Sequence, residues 1–155
     1  MAVSRRLIDN LTSPTARAIA IPVLNTQSCP FCTPPPDRVI LRDELVYGLW
    51  DGYPVSPGHA LLITKRHTHT WFDANPEERV ALMRAVDAAK AIIEKDHRPD
   101  GYNIGMNCGA AAGQTIFHLH IHLIPRYAGD TTDPRGGVRD VIPGKGNYVP
   151  TDRPK

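Results

Sequence analysis

The stretch HLHIHLIPR, residues 118–126, restricts the fold of this chain more than any other segment. His118, His120 and His122 alternate with Leu119, Ile121 and Leu123, and side chains on a β-strand point to opposite faces in turn. One face of such a strand is apolar and belongs to a core. The other carries three imidazoles and must line something.

The remaining elements follow from local signals. Short strands are expected at residues 39–41, 45–50 and 59–64, separated by the turn-forming RDE and DGYPVSPG. A long helix is expected from Pro76 to about Asp96. Asp73 or Asn75 can cap it, Pro76 suits its first turn, and Glu77 and Glu78 oppose its dipole. Leu82, Val86, Ala89 and Ile93 form its buried stripe. Two further strands are expected at residues 102–106 and 115–124, joined by NCGAAAG. Strands, one long helix, then strands read as an α+β fold with a mainly antiparallel sheet.

Three regions are expected: an N-terminal extension at residues 1–28, a folded domain at 29–128, and a tail at 129–155 rich in Gly, Pro and charge. The extension has helix-compatible pieces at residues 5–11 and 15–20, separated by Pro14. At 155 residues one domain is the default. A net charge of +2 gives no electrostatic case for nucleic acid or anionic membrane as a partner. No window approaches the roughly 20 apolar residues of a membrane helix, and the N-terminal run ARAIAIPVL, broken by Arg17 and Pro22, does not read as a signal peptide. Three cysteines make no secreted disulfide framework, which points to a reducing cytoplasm.

The three histidines do not suit a single metal ion. Residues i and i+4 lie roughly 13 Å apart along a strand, whereas each ligand nitrogen must come within about 2.1 Å of zinc. A histidine nucleophile supported by its neighbours fits better. A neutral imidazole attacks phosphorus at pH 7 when one ring nitrogen is free and the other is held as N–H. Upstream, Gly109 and Gly113 in NCGAAAGQT let backbone N–H groups approach an anion, and Gln114 and Thr115 add side-chain donors.

NCGAAAGQTIFHLHIHLIPR, together with SPGHALLITKRH, resembles the histidine-triad (HIT) superfamily of nucleotide hydrolases and transferases, over roughly residues 29–128. The resemblance implies a HIT-like α+β homodimer that binds a small nucleotide. It makes His120 the nucleophile of a covalent nucleotidyl intermediate. By the same resemblance His122 helps hold the phosphate and, through its backbone carbonyl, the His120 tautomer. Asn107, Gln114 and Thr115 match phosphate-contacting positions, and His59 matches a histidine that backs the triad. Asp51, eight residues before His59, matches the residue that grips the ribose hydroxyls, although from local sequence alone Asp-Gly reads rather as a surface turn. His122 in place of the glutamine usual in the family's transferases favours a hydrolase. GAAAGQT and PRYAGD look closer to the diadenosine-polyphosphate branch than to the phosphoramidate branch. Arg135, Arg139 and Lys145 of the tail could meet a longer phosphate chain or form a solvated loop.

Cys29 and Cys32 in SCPFCTPPP raise a separate question. A redox CxxC normally opens a helix, which Pro34, Pro35 and Pro36 forbid, so a metal knuckle fits better. With no second CxxC, the other ligands must be histidines or carboxylates. The resemblance to zinc-containing bacterial members supplies them as His67, in TKRH, and His118, with His69 a conceivable substitute for His67. This implies one structural zinc per chain, and the nucleophilic mechanism itself needs no catalytic metal. Two functions compete: a nucleotidyl hydrolase acting at the α-phosphate of a dinucleoside polyphosphate or nucleoside phosphoramidate, and a nucleotide-sensing or partner-binding dimer with incidental turnover.

Overall fold

The computed structural model describes residues 29–146. The pieces expected at residues 5–11 and 15–20, and the end of the tail at 147–155, lie outside the described residues. Five strands, β1 (Val39–Arg42), β2 (Val46–Trp50), β3 (Ala60–Thr64), β4 (Gly101–Gly105) and β5 (His120–Arg126), and one helix, α1 (Pro76–Asp96), form the core elements. The strands lie in the order β1-β2-β3-β5-β4, and every neighbouring pair is antiparallel. The α+β class and the mainly antiparallel sheet are as expected. No helix among the described residues is long and apolar enough to cross a membrane.

The helix occupies the span that its caps define. Asn75 accepts from the Glu78 backbone N–H at 2.8 Å, and the Glu78 carboxylate accepts from the Asn75 N–H at 3.0 Å. This reciprocal pair satisfies two donors that the first turn leaves over. Asp73 instead closes a short 3-10 turn at Trp71–Asp73 with Thr70. Leu82, Val86, Ala89 and Ile93 are buried, joined by Ala81 and Ala85. They pack on Val46, Ala60, Leu62, Ile121 and Leu123 from one face of the sheet. The opposite face carries a second cluster, Cys29, Phe31, Tyr47, Leu49, Leu61 and Ile63. With both faces covered, all five residues of β3 are buried.

One expected strand is corrected. Residues 115–119 are not part of β5, which starts at His120 and continues through Pro125 to Arg126. The first β3 partner of β5 is the Ile63–His120 pair, and just before it the Leu119 N–H donates to the Thr68 carbonyl at 2.6 Å. The alternation of apolar residues runs further back than the pairing does. At the far end β3 pairs only as far as Leu123, so Pro125 has a single neighbouring strand and its missing N–H breaks no ladder bond toward β3.

Glu78 also anchors the loop after β3. Arg66 Nε and Nη2 reach its two carboxylate oxygens at 2.8 and 2.7 Å. This guanidinium holds the Glu78 carboxyl below the usual carboxylate range. A depressed folded-state pKa contributes stability above the unfolded value, and that stability is lost as pH falls. Glu78→Gln should therefore lower the unfolding free energy by about 2 kcal/mol at pH 7. In urea denaturation the gap between variant and wild type should close below about pH 4, the unfolded carboxylate range. A gap of constant size across this range would show that the ion pair does not carry the effect.

Candidate active site

The three histidines of the motif have three different environments. His118 sits in the bend before β5 and is fully buried. Its Nε2 lies 2.7 Å from the Thr64 carbonyl oxygen. A carbonyl only accepts, so Nε2 carries the proton and Nδ1 presents its lone pair to the Cys29 and Cys32 sulfurs at 3.5 and 3.7 Å. His118 faces the same side as His120, as expected, since Phe31 packs against both rings while Leu119 joins the opposite cluster, although residue 118 precedes the paired strand. Its side chain is turned into the cysteine loop because β5 has not yet begun at that residue.

His120 is the first residue of β5, and its Nδ1 lies 2.7 Å from the His118 carbonyl oxygen. The proton is therefore on Nδ1 and the lone pair on Nε2. Sequence reasoning gave this tautomer-setting role to the His122 carbonyl, and the structure gives it to His118. The ring is packed edge-on against Phe31, with centroids 5.1 Å apart. Burial lowers its basicity, so the imidazole is neutral at pH 7.

His122 is two residues on, and its ring centroid lies 5.0 Å from that of His120. Its Nδ1 lies 3.0 Å from His59 Nε2. Burial, with His120 and His59 beside it, pushes its pKa down to about 4. His59, at the start of β3, is buried, and its Nδ1 lies 3.3 Å from Asp51 Oδ2. The Asp51 N–H donates to the His59 carbonyl at 2.9 Å, which locks the end of β2 to the start of β3. Asp51 Oδ1 accepts from the Tyr53 N–H at 2.8 Å, so the Asp-Gly turn exists as well. An open cavity of about 580 Å³, walled by Trp50, Pro54, Gly58 and His97, meets this group at Asp51 and His59 and does not reach His120.

The Gly/Ala loop turns sharply through Gly109 and Gly113, at φ of +92° and +84°, a region that disfavours side chains. The Gln114 side chain holds the loop. Its Oε1 accepts from the Gly109 N–H at 2.7 Å, and its Nε2 donates to the carbonyls of His69 and Ile116 at 2.7 and 3.2 Å. Gln114 is buried and all its polar atoms are committed to backbone. Asn107 is half-buried and Thr115 exposed, and among the described residues neither side chain is part of this clasp. In the tail, Arg135 pairs with Asp133 at 2.7 Å, and the short 3-10 turn Gly137–Val141 packs on β4.

A second group of donors gathers on the same face of the sheet, just before the start of β5. Cys29 Sγ, Cys32 Sγ and one nitrogen each of His67 and His118 all lie within 4.8 Å of one another. The Cys32 N–H donates to the Cys29 carbonyl at 3.0 Å, a turn that places both sulfurs on one side, and His67 Nδ1 lies 3.1 Å from Cys32 Sγ. His69 is not among them. Burial and the neighbouring Cys29 push the Cys32 thiol up to about 11, so this pocket disfavours negative charge unless a cation shares it.

Two contributors were not visible in sequence reasoning. Phe31, between the two cysteines, forms the wall against His120, and Tyr47 holds it by donating its hydroxyl proton to the Phe31 carbonyl. The only signal was an aromatic residue inside CPFC.

Comparisons with known proteins agree on one family. The sequence pattern of the HIT domain matches residues 33–129. An AP-4-A phosphorylase from Mycobacterium tuberculosis is 37% identical over 93 residues, covering 59% of this chain and 48% of that one. An asymmetrical bis(5'-nucleosyl)-tetraphosphatase from Schizosaccharomyces pombe is 34% identical over 96 residues, covering 62% and 53%. The chain thus spans about half the length of these relatives. A zinc-bound histidine triad family protein from Mycobacterium smegmatis has a similar structure, with a TM-score of 0.63 and 37% identity, covering 70% of this chain and 82% of that one.

Gln114→Ala should leave the Gly109 N–H and the His69 carbonyl without their partner and lower the unfolding free energy by about 1–3 kcal/mol. Hydrogen exchange at Gly109 should accelerate relative to the α1 amides. Unchanged protection there would show that the clasp does not hold the loop.

Proposed function

The chain belongs to the HIT domain family, and from that premise we propose that it is a nucleotidyl hydrolase working through a covalent intermediate on His120. Its substrate is a dinucleoside polyphosphate or a nucleoside phosphoramidate, cut at the α-phosphate. The observation that carries this reading is the 2.7 Å bond from His120 Nδ1–H to the His118 carbonyl, which leaves an unprotonated Nε2 on a neutral ring. An imidazole so held is a nucleophile without needing a separate base.

In the first step Nε2 attacks the α-phosphorus, and the bond from phosphorus to the leaving oxygen or nitrogen breaks. In the second step water attacks the same phosphorus, the P–N bond to His120 breaks, and Nε2 recovers its lone pair. On this reading His122, Asn107 and Thr115 supply donors to the phosphate oxygens, while Gln114 holds the loop that carries them. Asp51, with His59 behind it, accepts from the ribose hydroxyls. The activities for which the two relatives are named, a phosphorylase and a tetraphosphatase, support a polyphosphate substrate and leave water or phosphate as the acceptor. The homodimer implied by the family would draw on the open edge of β4, where Ile104 is exposed.

The Cys29, Cys32, His67 and His118 cluster is assigned to one structural zinc ion per chain. Two sulfurs and two imidazole nitrogens are the donor set of closed tetrahedral zinc sites. Donors at the tetrahedral angle around one such ion lie roughly 3.4–3.8 Å apart, and the separations here of 3.1, 3.5 and 3.7 Å suit that shell. The Thr64 carbonyl already orients the His118 ring for ligation. A bound ion would supply charge balance for two thiolates and tie the CPFC loop to β5.

Two experiments test these readings. A substrate panel of adenosine phosphoramidate and diadenosine tri- and tetraphosphates, with and without inorganic phosphate, should show turnover that His120→Ala lowers by about 10⁴-fold or more while AMP still binds. Rapid quench of wild type should trap a nucleotidyl adduct on His120, and an active His120→Ala protein would sink the assignment. For zinc, Cys32→Ser should reduce metal content and lower Tm together, by about 4–8 °C if roughly 2 kcal/mol is lost. Zinc-replete expression that yields metal-free wild type would refute the site.

A further inference from the structure

Beyond the cysteine cluster, one other group of metal-ligating side chains converges among the described residues: Asp51, His59 and His122. They come from the end of β2, the start of β3 and the middle of β5, three adjacent strands that fix their backbones. His59 Nε2 lies 3.0 Å from His122 Nδ1, and Asp51 Oδ2 lies 3.3 Å from His59 Nδ1 and 3.9 Å from His122 Nδ1. An ion takes one nitrogen from His59, and with one ligand atom from each residue the three donors all lie within 4.8 Å of one another, close enough for small side-chain shifts to reach the roughly 3.4 Å between two donors that each bind one ion at about 2.1 Å.

The two groups differ in what they leave open. The cysteine cluster has four donors and a buried interior. The second has three donors, and the His122 side chain retains a quarter of its exposure, so one side faces solvent and the approach to His120. Two imidazoles and one carboxylate on one side of an ion, with open positions opposite, suit a divalent transition metal and not calcium or magnesium, which take oxygen ligands.

We propose that Asp51, His59 and His122 form a second metal site, one that takes a divalent transition-metal ion in competition with the nucleotide. His59 Nδ1 now accepts from the Val55 N–H at 3.3 Å, which puts the bridging proton on Nε2; when the ion enters, that proton moves to Nδ1 in place of the Val55 bond, so each ring offers a lone pair without a net change in protonation. An ion there occupies the carboxylate that would accept the ribose hydroxyls and the imidazole beside the phosphate. The competition rests on the function proposed above; the binding itself does not.

Cobalt(II) is the probe, titrated into the full chain. Thiolate-to-cobalt charge transfer reports the cysteine cluster, and a site of nitrogen and oxygen donors gives none. Wild type should bind two equivalents per chain, with the charge-transfer band saturating for one of them. Asp51→Asn and His122→Ala should each weaken the other equivalent by more than the roughly 100-fold that loss of an outer-sphere partner can cost, and leave the band at full strength. The intact band also shows that both variants are folded. AMP should displace the second equivalent from wild type. A wild-type chain that stops at one equivalent, or a second equivalent that survives in both variants, overturns the site. Metal that binds in this residue-dependent way but is not displaced by AMP overturns the competition alone, and absence of turnover on every substrate changes neither stoichiometry.

Discussion

The hydrogen bond between His120 Nδ1 and the His118 carbonyl connects the cysteine cluster to the His120–His122–His59 group. His118 takes part in both. Its side chain points back toward the cysteines, oriented by Thr64, while its carbonyl points forward to hold the next histidine in one tautomer. Both orientations require the backbone to bend at residue 118 and to become a strand only at 120. The Leu119 N–H, tied to Thr68, fixes that bend from the other side. A shift of this backbone would therefore disturb the sulfur cluster and the reactive imidazole together.

Burial supplies the second requirement. His118, His120 and His122 are all pushed toward the neutral form because the apolar cluster on that face of the sheet excludes water from them. Phe31 contributes to this directly by packing against both His118 and His120. The same loop thus carries sulfur ligands on its two ends and an apolar shield in its middle. A neutral imidazole is what both metal ligation and attack on phosphorus need.

Much of this was legible because it is local. The helix was readable from Asn75, Pro76 and the Leu82-to-Ile93 stripe, since caps and periodicity depend on residues a few positions apart. The apolar side of β5 was readable for the same reason. The start of β5 was not, because it is set by where β3 stops pairing and by a bond from Leu119 to a residue some fifty positions away. The His118 carbonyl as acceptor and the inward turn of Gln114 are likewise products of long-range packing. CPFC announced a ligand pair by its spacing, whereas its partners His67 and His118 came from family resemblance, and the structure brings all four together.

The strand order β1-β2-β3-β5-β4 has a consequence for how the chain is made. The strand that completes the sheet is the last to leave the ribosome, and it must enter between two strands already synthesised. Until residue 126 has emerged, β3, apolar but for Thr64, keeps a bare edge, the kind of surface that invites pairing with another chain. The histidines ride on that closing strand. Their arrival and the closure of the sheet are one event, so a nascent chain carries Asp51 and His59 with nothing opposite them until His120 and His122 are in place.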